Sequence, residues 1–127
     1  MADGRTTLFP RGPIGVWKAM LWSFRGLRAA FLTESSFRLE TYLFLVFGPL
    51  AFILGRTGVE RALLFGSLLL VMLVELLNSA IECVIDKLIP EFNELAGRAK
   101  DMGSAAVFLA MMALLATWIS ILWSRFA

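Results

Sequence analysis

Glu75, Asn78, Glu82 and Asp86 recur inside one apolar stretch of the chain, residues 74–87. At about 100° per residue they fall, together with Ser79, within about a third of a helix circumference, in a stripe roughly 16 Å long. Leu73, Leu77, Ile81 and Val84 occupy the opposite side. An acidic side chain in hydrocarbon costs roughly 3 kcal/mol or more, so the stripe must face other helices or a wet cavity rather than lipid. A second polar cluster follows Pro90 in EFNELAGRAKDMGS, residues 91–104. There Gly97, Lys100, Asp101 and Ser104 share an i, i+3, i+4, i+7 face.

The carboxylates outnumber the cations near them. That surplus suits a divalent cation, and carboxylate oxygens are what a hard ion such as Mg²⁺ takes. The plainer alternative is helix-to-helix pairing: Asp86 or Glu82 with Lys100 or Arg98, and Asn78 across an interface. Glu75 lies deepest and has no cation near it in sequence. That is the placement of a general base for a membrane-embedded hydroxyl. The sequence contains no His, which excludes histidine triads and histidine metal sites, so acid–base work falls to Glu, Asp, Lys or Tyr42. Cys83 stands alone, which excludes an intrachain disulfide, and is expected to be a small buried side chain. Neither a GxxxxGK[ST] loop nor the motifs of a protein kinase occur, so neither common ATP-binding fold is present.

These groups must be carried by membrane helices. Of 127 residues, 59% are hydrophobic, against roughly 45–50% in ordinary soluble domains. Eleven Phe and four Trp suit contact with lipid and its headgroup boundary. The expected architecture is all-α: one integral-membrane domain over 1–127, with spans at 41–55, 62–82 and 103–124. Gly48-Pro49 is expected to kink the first span or end a turn there. Ahead of it, residues 15–40 mix Lys18, Arg25, Arg28 and Arg38 with Trp17, Leu21, Trp22, Phe24 and Phe31. That mixture predicts a basic amphipathic helix on the membrane surface. Arg5 and Arg11 add to the basic residues before the first span, whereas only Arg56 and Arg61 follow it closely. The positive-inside rule then puts the N-terminus and residues 82–103 in the cytoplasm and Arg125 outside. No cleavable signal is expected in the first forty residues. A net charge of +2 gives no argument for nucleic acid.

ELLNSAIECVIDK (75–87), followed by ELAGRAKDMGSAAV (94–107), resembles the signature of the small prokaryotic integral-membrane diacylglycerol kinases. That signature reads E-x-x-N-[ST]-A-I-E-x-x-x-D with G-x-A-K-D-x-x-[SA]-A-A. RGLRAAFLTESSFRLE (25–40) resembles the family's N-terminal segment. The resemblance implies a homotrimer of three-span subunits in the bacterial cytoplasmic (inner) membrane. It also implies transfer of the γ-phosphate of MgATP to the hydroxyl of diacylglycerol, giving phosphatidic acid and recycling lipid.

Carried onto this sequence, the resemblance makes Glu75 the catalytic base beside the lipid hydroxyl. Glu34 and Glu82 become ligands of the nucleotide's Mg²⁺. Lys100 and Asp101 contact phosphate and nucleotide, and Glu91 and Asp86 line the nucleotide side. Trp22 and Asn93 stand where some members have Tyr and His near the nucleotide. Asn78 organises the site, and Arg61 and Ser104 take positions at the lipid substrate. Two other readings remain at this stage. One is phosphorylation of undecaprenol instead of diacylglycerol; the other is a small proton- or cation-coupled transporter with Glu75 as its carrier carboxylate.

Overall fold

The computed structural model describes residues 12–127, so Arg5 and Arg11 lie outside the described residues. Four helices account for nearly all of it: α1 (Pro13–Thr33), α2 (Ser35–Leu54), α3 (Gly58–Leu88) and α4 (Glu94–Phe126). The last three are long and apolar enough to cross a membrane.

Proline at the first turn opens α1, where the missing N–H would have had no helical partner. The break between α1 and α2 falls at Glu34, in extended backbone with φ −109° and ψ 111°. The helix expected over 15–40 therefore ends earlier, and residues 35–40 belong to α2. Phe37 explains the shift. It is buried on the face that continues through Phe44, Gly48 and Ala51, so packing draws this stretch into α2. Arg38 fixes the elbow by donating from Nη1 to the carbonyls of Phe31 and Leu32, both at 3.2 Å. A cation on the last carbonyls of a helix also complements its dipole.

α2 runs through Gly48-Pro49 to Leu54. Gly48 is buried, and a Cβ there would meet the Phe65 ring at 3.6 Å, so the glycine serves close packing on α3. α3 starts at a Thr57 cap whose hydroxyl accepts the Glu60 N–H at 3.1 Å. The Glu60 carboxylate takes the Arg56 N–H at 2.6 Å and the Arg125 guanidinium at 3.0 Å. The end of α4 is thereby tied to the start of α3.

The dry core sits at this same end. Ala51, Leu64, Leu68 and Trp118 form it, with Phe47 edge-on to Trp118 at 5.7 Å between ring centroids. Trp118 also donates from Nε1 to the Leu64 carbonyl at 3.2 Å, joining α4 to α3. On α4 the face toward α3 is built of small residues, with Ala96, Gly103 and Ala110 buried. Small side chains let two membrane helices approach closely. Leu73, Leu77, Ile81 and Val84 are exposed, as expected for the lipid-compatible side of α3. Cys83 is exposed as well, contrary to the expectation of a buried side chain, because it lies past the buried turns of α3, where Val84, Asp86 and Leu88 are exposed too.

Replacing Trp118 by Phe keeps the ring and removes the interhelical donor. It should lower unfolding free energy by about 0.6–1.5 kcal/mol, measured by denaturation in detergent micelles.

Candidate active site

The polar stripe of α3 is turned inward. Glu75, Asn78 and Ser79 are buried, Glu82 is half-buried, and Asp86 is exposed at the cap end of the helix. The stripe thus passes from protein interior to surface over about three turns. α4 supplies the facing surface. Lys100 Nζ reaches Asp86 Oδ1 at 2.8 Å, and Gly103 lies directly against the Asn78 carboxamide. Asn78 Nδ2 points toward Glu82 Oε1 at 3.5 Å, a long contact at the edge of hydrogen-bond range.

Glu34 comes to the same place by the elbow. Among the described residues it caps neither helix with its side chain. Glu34 and Glu82 both act electrostatically on Glu75, and Glu75 acts on Glu40 of α2. Four carboxyl groups therefore converge from the elbow, α2 and α3. Among the described residues no three acidic groups lie close enough to enclose a metal ion by themselves. Mg²⁺ in phosphoryl-transfer sites is commonly held by one or two carboxylates plus substrate phosphates, not by an all-protein cage. Glu34 and Glu82, neither of them in a salt bridge among the described residues, fit an ion that arrives with a nucleotide.

The remaining predicted residues divide. Asp86 and Lys100 meet each other, which is also the pairing that plain helix contact would give. Asp101 and Ser104 are exposed on the side of α4 away from Gly103, and Glu91 is exposed in the link between α3 and α4. Asn93 caps α4, its Oδ1 accepting the Ala96 N–H at 3.0 Å. Trp22 is half-buried on α1. Arg61 stands apart from the others. It lies fourteen residues before Glu75 on the same helix, roughly 21 Å away. Its Nε donates to the Phe52 carbonyl at 3.1 Å and closes the turn between α2 and α3.

Two residues were missed by sequence reasoning. Glu40 was assigned to the surface helix, but its spacing from Phe37, Phe44 and Gly48 puts it on the inward face of α2. One oxygen of its carboxyl group is buried with no hydrogen-bond partner among the described residues. It borders an apolar cavity of about 270 Å³ between α2, α3 and α4, whose walls include Phe44, Phe47, Val71, Met111 and Trp118. Gly103 was passed over because Lys100, Asp101 and Ser104 drew the helical face toward themselves.

The family profile described as prokaryotic diacylglycerol kinase matches residues 21–122. The chain belongs to that family. The relatives named below cover from 80% to 99% of the chain. It is 47% identical to the diacylglycerol kinase of Escherichia coli over 121 residues, 95% of this chain and 96% of the relative. Identity to the Haemophilus influenzae diacylglycerol kinase is 48% over 101 residues, 80% of this chain and 86% of the relative. The Helicobacter pylori kinase of the same name is 37% identical over 126 residues, 99% and 94% of the two chains.

The cap role of Asn93 can be separated from any contact with nucleotide. Asn93→Ala should cost about 1 kcal/mol of stability, whereas Asn93→Asp, which can also cap, should keep it. Thermal unfolding of both variants beside their KM for ATP checks this. If stability holds in Asn93→Ala while KM rises, the residue acts on nucleotide instead.

Proposed function

We propose that this chain transfers the γ-phosphoryl group of ATP to the hydroxyl of diacylglycerol, giving phosphatidic acid, at the cytoplasmic face of a bacterial inner membrane. The observation that carries the reading is Glu75. It is buried, it makes no salt bridge among the described residues, and it stands about 10 Å along α3 from the more exposed Glu82. A carboxylate so placed meets a lipid hydroxyl from the membrane side, and a nucleotide can meet the outer turns of the same helix. The apolar cavity beside Glu40 suits an acyl chain next to that hydroxyl. All the relatives named above are diacylglycerol kinases, which favours diacylglycerol over undecaprenol.

Phosphoryl transfer mostly requires positioning and compensation of charge. The lipid oxygen bonds to the γ-phosphorus, the bond from that phosphorus to the bridging oxygen of ADP breaks, and the hydroxyl proton passes to a Glu75 oxygen. Lys100 offsets phosphate charge. Its bond to Asp86 keeps it at the outer end of the stripe until nucleotide competes for it. Glu34 and Glu82 would hold Mg²⁺, which when bound neutralises the phosphate oxygens. Asn78 orients Glu82. α1, basic and largely exposed, lies on the membrane surface and keeps the N-terminus in the cytoplasm.

Three subunits complete the molecule. The exposed Glu91, Asp101 and Ser104 leave polar surface beside apolar surface on α4, which a neighbouring copy covers. Native mass measurement in detergent should find three chains. Activity from a particle of one chain would refute the trimer.

Two substitutions separate base from metal ligand. Glu75→Gln keeps the shape and removes the base, so turnover should fall about 10²–10⁴-fold with little change in KM for MgATP. Glu82→Gln should instead weaken apparent Mg²⁺ or MgATP affinity as well as turnover. Initial rates against Mg²⁺, ATP and diacylglycerol decide it. Near-normal turnover in Glu75→Gln would end the assignment of Glu75 as base.

A further inference from the structure

We propose that Gly103 is a positioning residue of the kinase site. The missing side chain at that point of α4 lets the Asn78 carboxamide lie against the helix and present its Nδ2 to Glu82. The inference rests on the reading of Glu82 as a ligand of the nucleotide's metal, and it adds the residue that acts through Asn78.

Gly103 is buried in the middle of a helical turn, where glycine is a poor choice for helix stability. A Cβ built there would overlap Asn78 Oδ1 and stand 3.2 Å from its Cγ. The helical glycines Gly26, Gly58, Gly66 and Gly97 have open space at the same point, and Gly48 makes only ordinary contacts. Space at Gly103 is therefore reserved for one side chain. Asn78 is 8% exposed, and its Oδ1 is buried without a hydrogen-bond partner among the described residues. A buried acceptor left without a donor is unfavourable, so no bond of its own holds the oxygen in this position. The shape of the glycine does. Exchanging the amide oxygen and nitrogen would turn an acceptor toward the Glu82 carboxylate, so the donor belongs on the Glu82 side. A steric slot on one side and a carboxylate on the other set the orientation together.

Adding one methyl group to Gly103 should then move the amide rather than the helices. Alanine is the better helix former, and the atom it meets is the tip of a flexible side chain. Glu82 would lose its neutral donor while both carboxylates and Lys100 stay in place.

The test compares Gly103→Ala, Asn78→Ala and the double variant as full-length oligomers in detergent. It measures initial rates across Mg²⁺ and MgATP concentrations together with thermal midpoints. Gly103→Ala should keep or raise the midpoint and weaken apparent MgATP affinity about 10–100-fold, as loss of a partner behind a metal ligand does. The double variant should be no worse than Asn78→Ala, because both changes remove one interaction. Wild-type kinetics in Gly103→Ala, or losses that multiply in the double variant, would overturn the proposal. Should Gly103→Ala fail to fold, recovery of folding in the double variant with the kinetics of Asn78→Ala supports the clash, and continued unfolding overturns it. Non-multiplying losses confined to kcat, with Mg²⁺ dependence unchanged, support Gly103 as a positioning residue and refute the metal role of Glu82 alone.

Discussion

Charged and amide side chains on a helix that crosses hydrocarbon must be covered by protein, because lipid offers them neither water nor hydrogen bonds. The arrangement of α2, α3 and α4 follows from that constraint. α3 exposes leucines on one side and turns Glu75, Asn78 and Ser79 inward on the other. To receive them, α4 presents Ala96, Gly103 and Ala110, whose small size brings the two helices close. α2 adds Glu40 to the same interior, and the elbow at Glu34 brings a further carboxylate to its edge. What keeps the stripe from lipid also concentrates negative charge in one place, and that concentration is what a phosphate-bound cation can use.

The two ends of the bundle differ in what holds them. At the α2–α3 turn the helices are joined by dry packing around Leu64 and Trp118, by the indole bond to the Leu64 carbonyl, and by the Glu60–Arg125 pair. The opposite end carries polar contacts, namely Arg38 on the α1 carbonyls, Asp86 with Lys100, and the Asn93 cap within α4. Such contacts can exchange partners with a charged ligand more readily than packed rings can. The dry packing and the proposed chemistry thus lie at different ends of the same three helices.

Much of this was legible in the sequence. The stripe on α3 and its leucine back were fixed by 3.6-residue periodicity, and three spans followed from length and composition. The cap residues Thr57 and Asn93 sit where such residues commonly start helices. The boundary at Glu34 was not legible, since RGLRAAFLTESSFRLE is amphipathic throughout and only the burial of Phe37 shows where the chain turns inward. Glu40 was hidden by the same misplacement. The inward face of α4 was not legible from its charged residues, because membrane helices meet through their smallest ones. Arg61 came from the resemblance alone, and fourteen residues of α3 separate it from Glu75.

Length itself has a consequence. α3 has 31 residues, about 46 Å of helix, against a hydrocarbon layer about 30 Å thick. Were Gly58 at one boundary, the other would fall near Asn78, with Glu75 a turn inside the oily layer and Glu82 a turn outside it. The far-end packing fixes the carboxylates relative to one another, whereas the height of the lipid surface belongs to the bilayer. Swelling or thinning that layer by a few ångströms raises or lowers the glycerol hydroxyl against a stationary Glu75. With Glu75 as the proposed base, turnover would then depend on membrane thickness, which no residue in the site encodes.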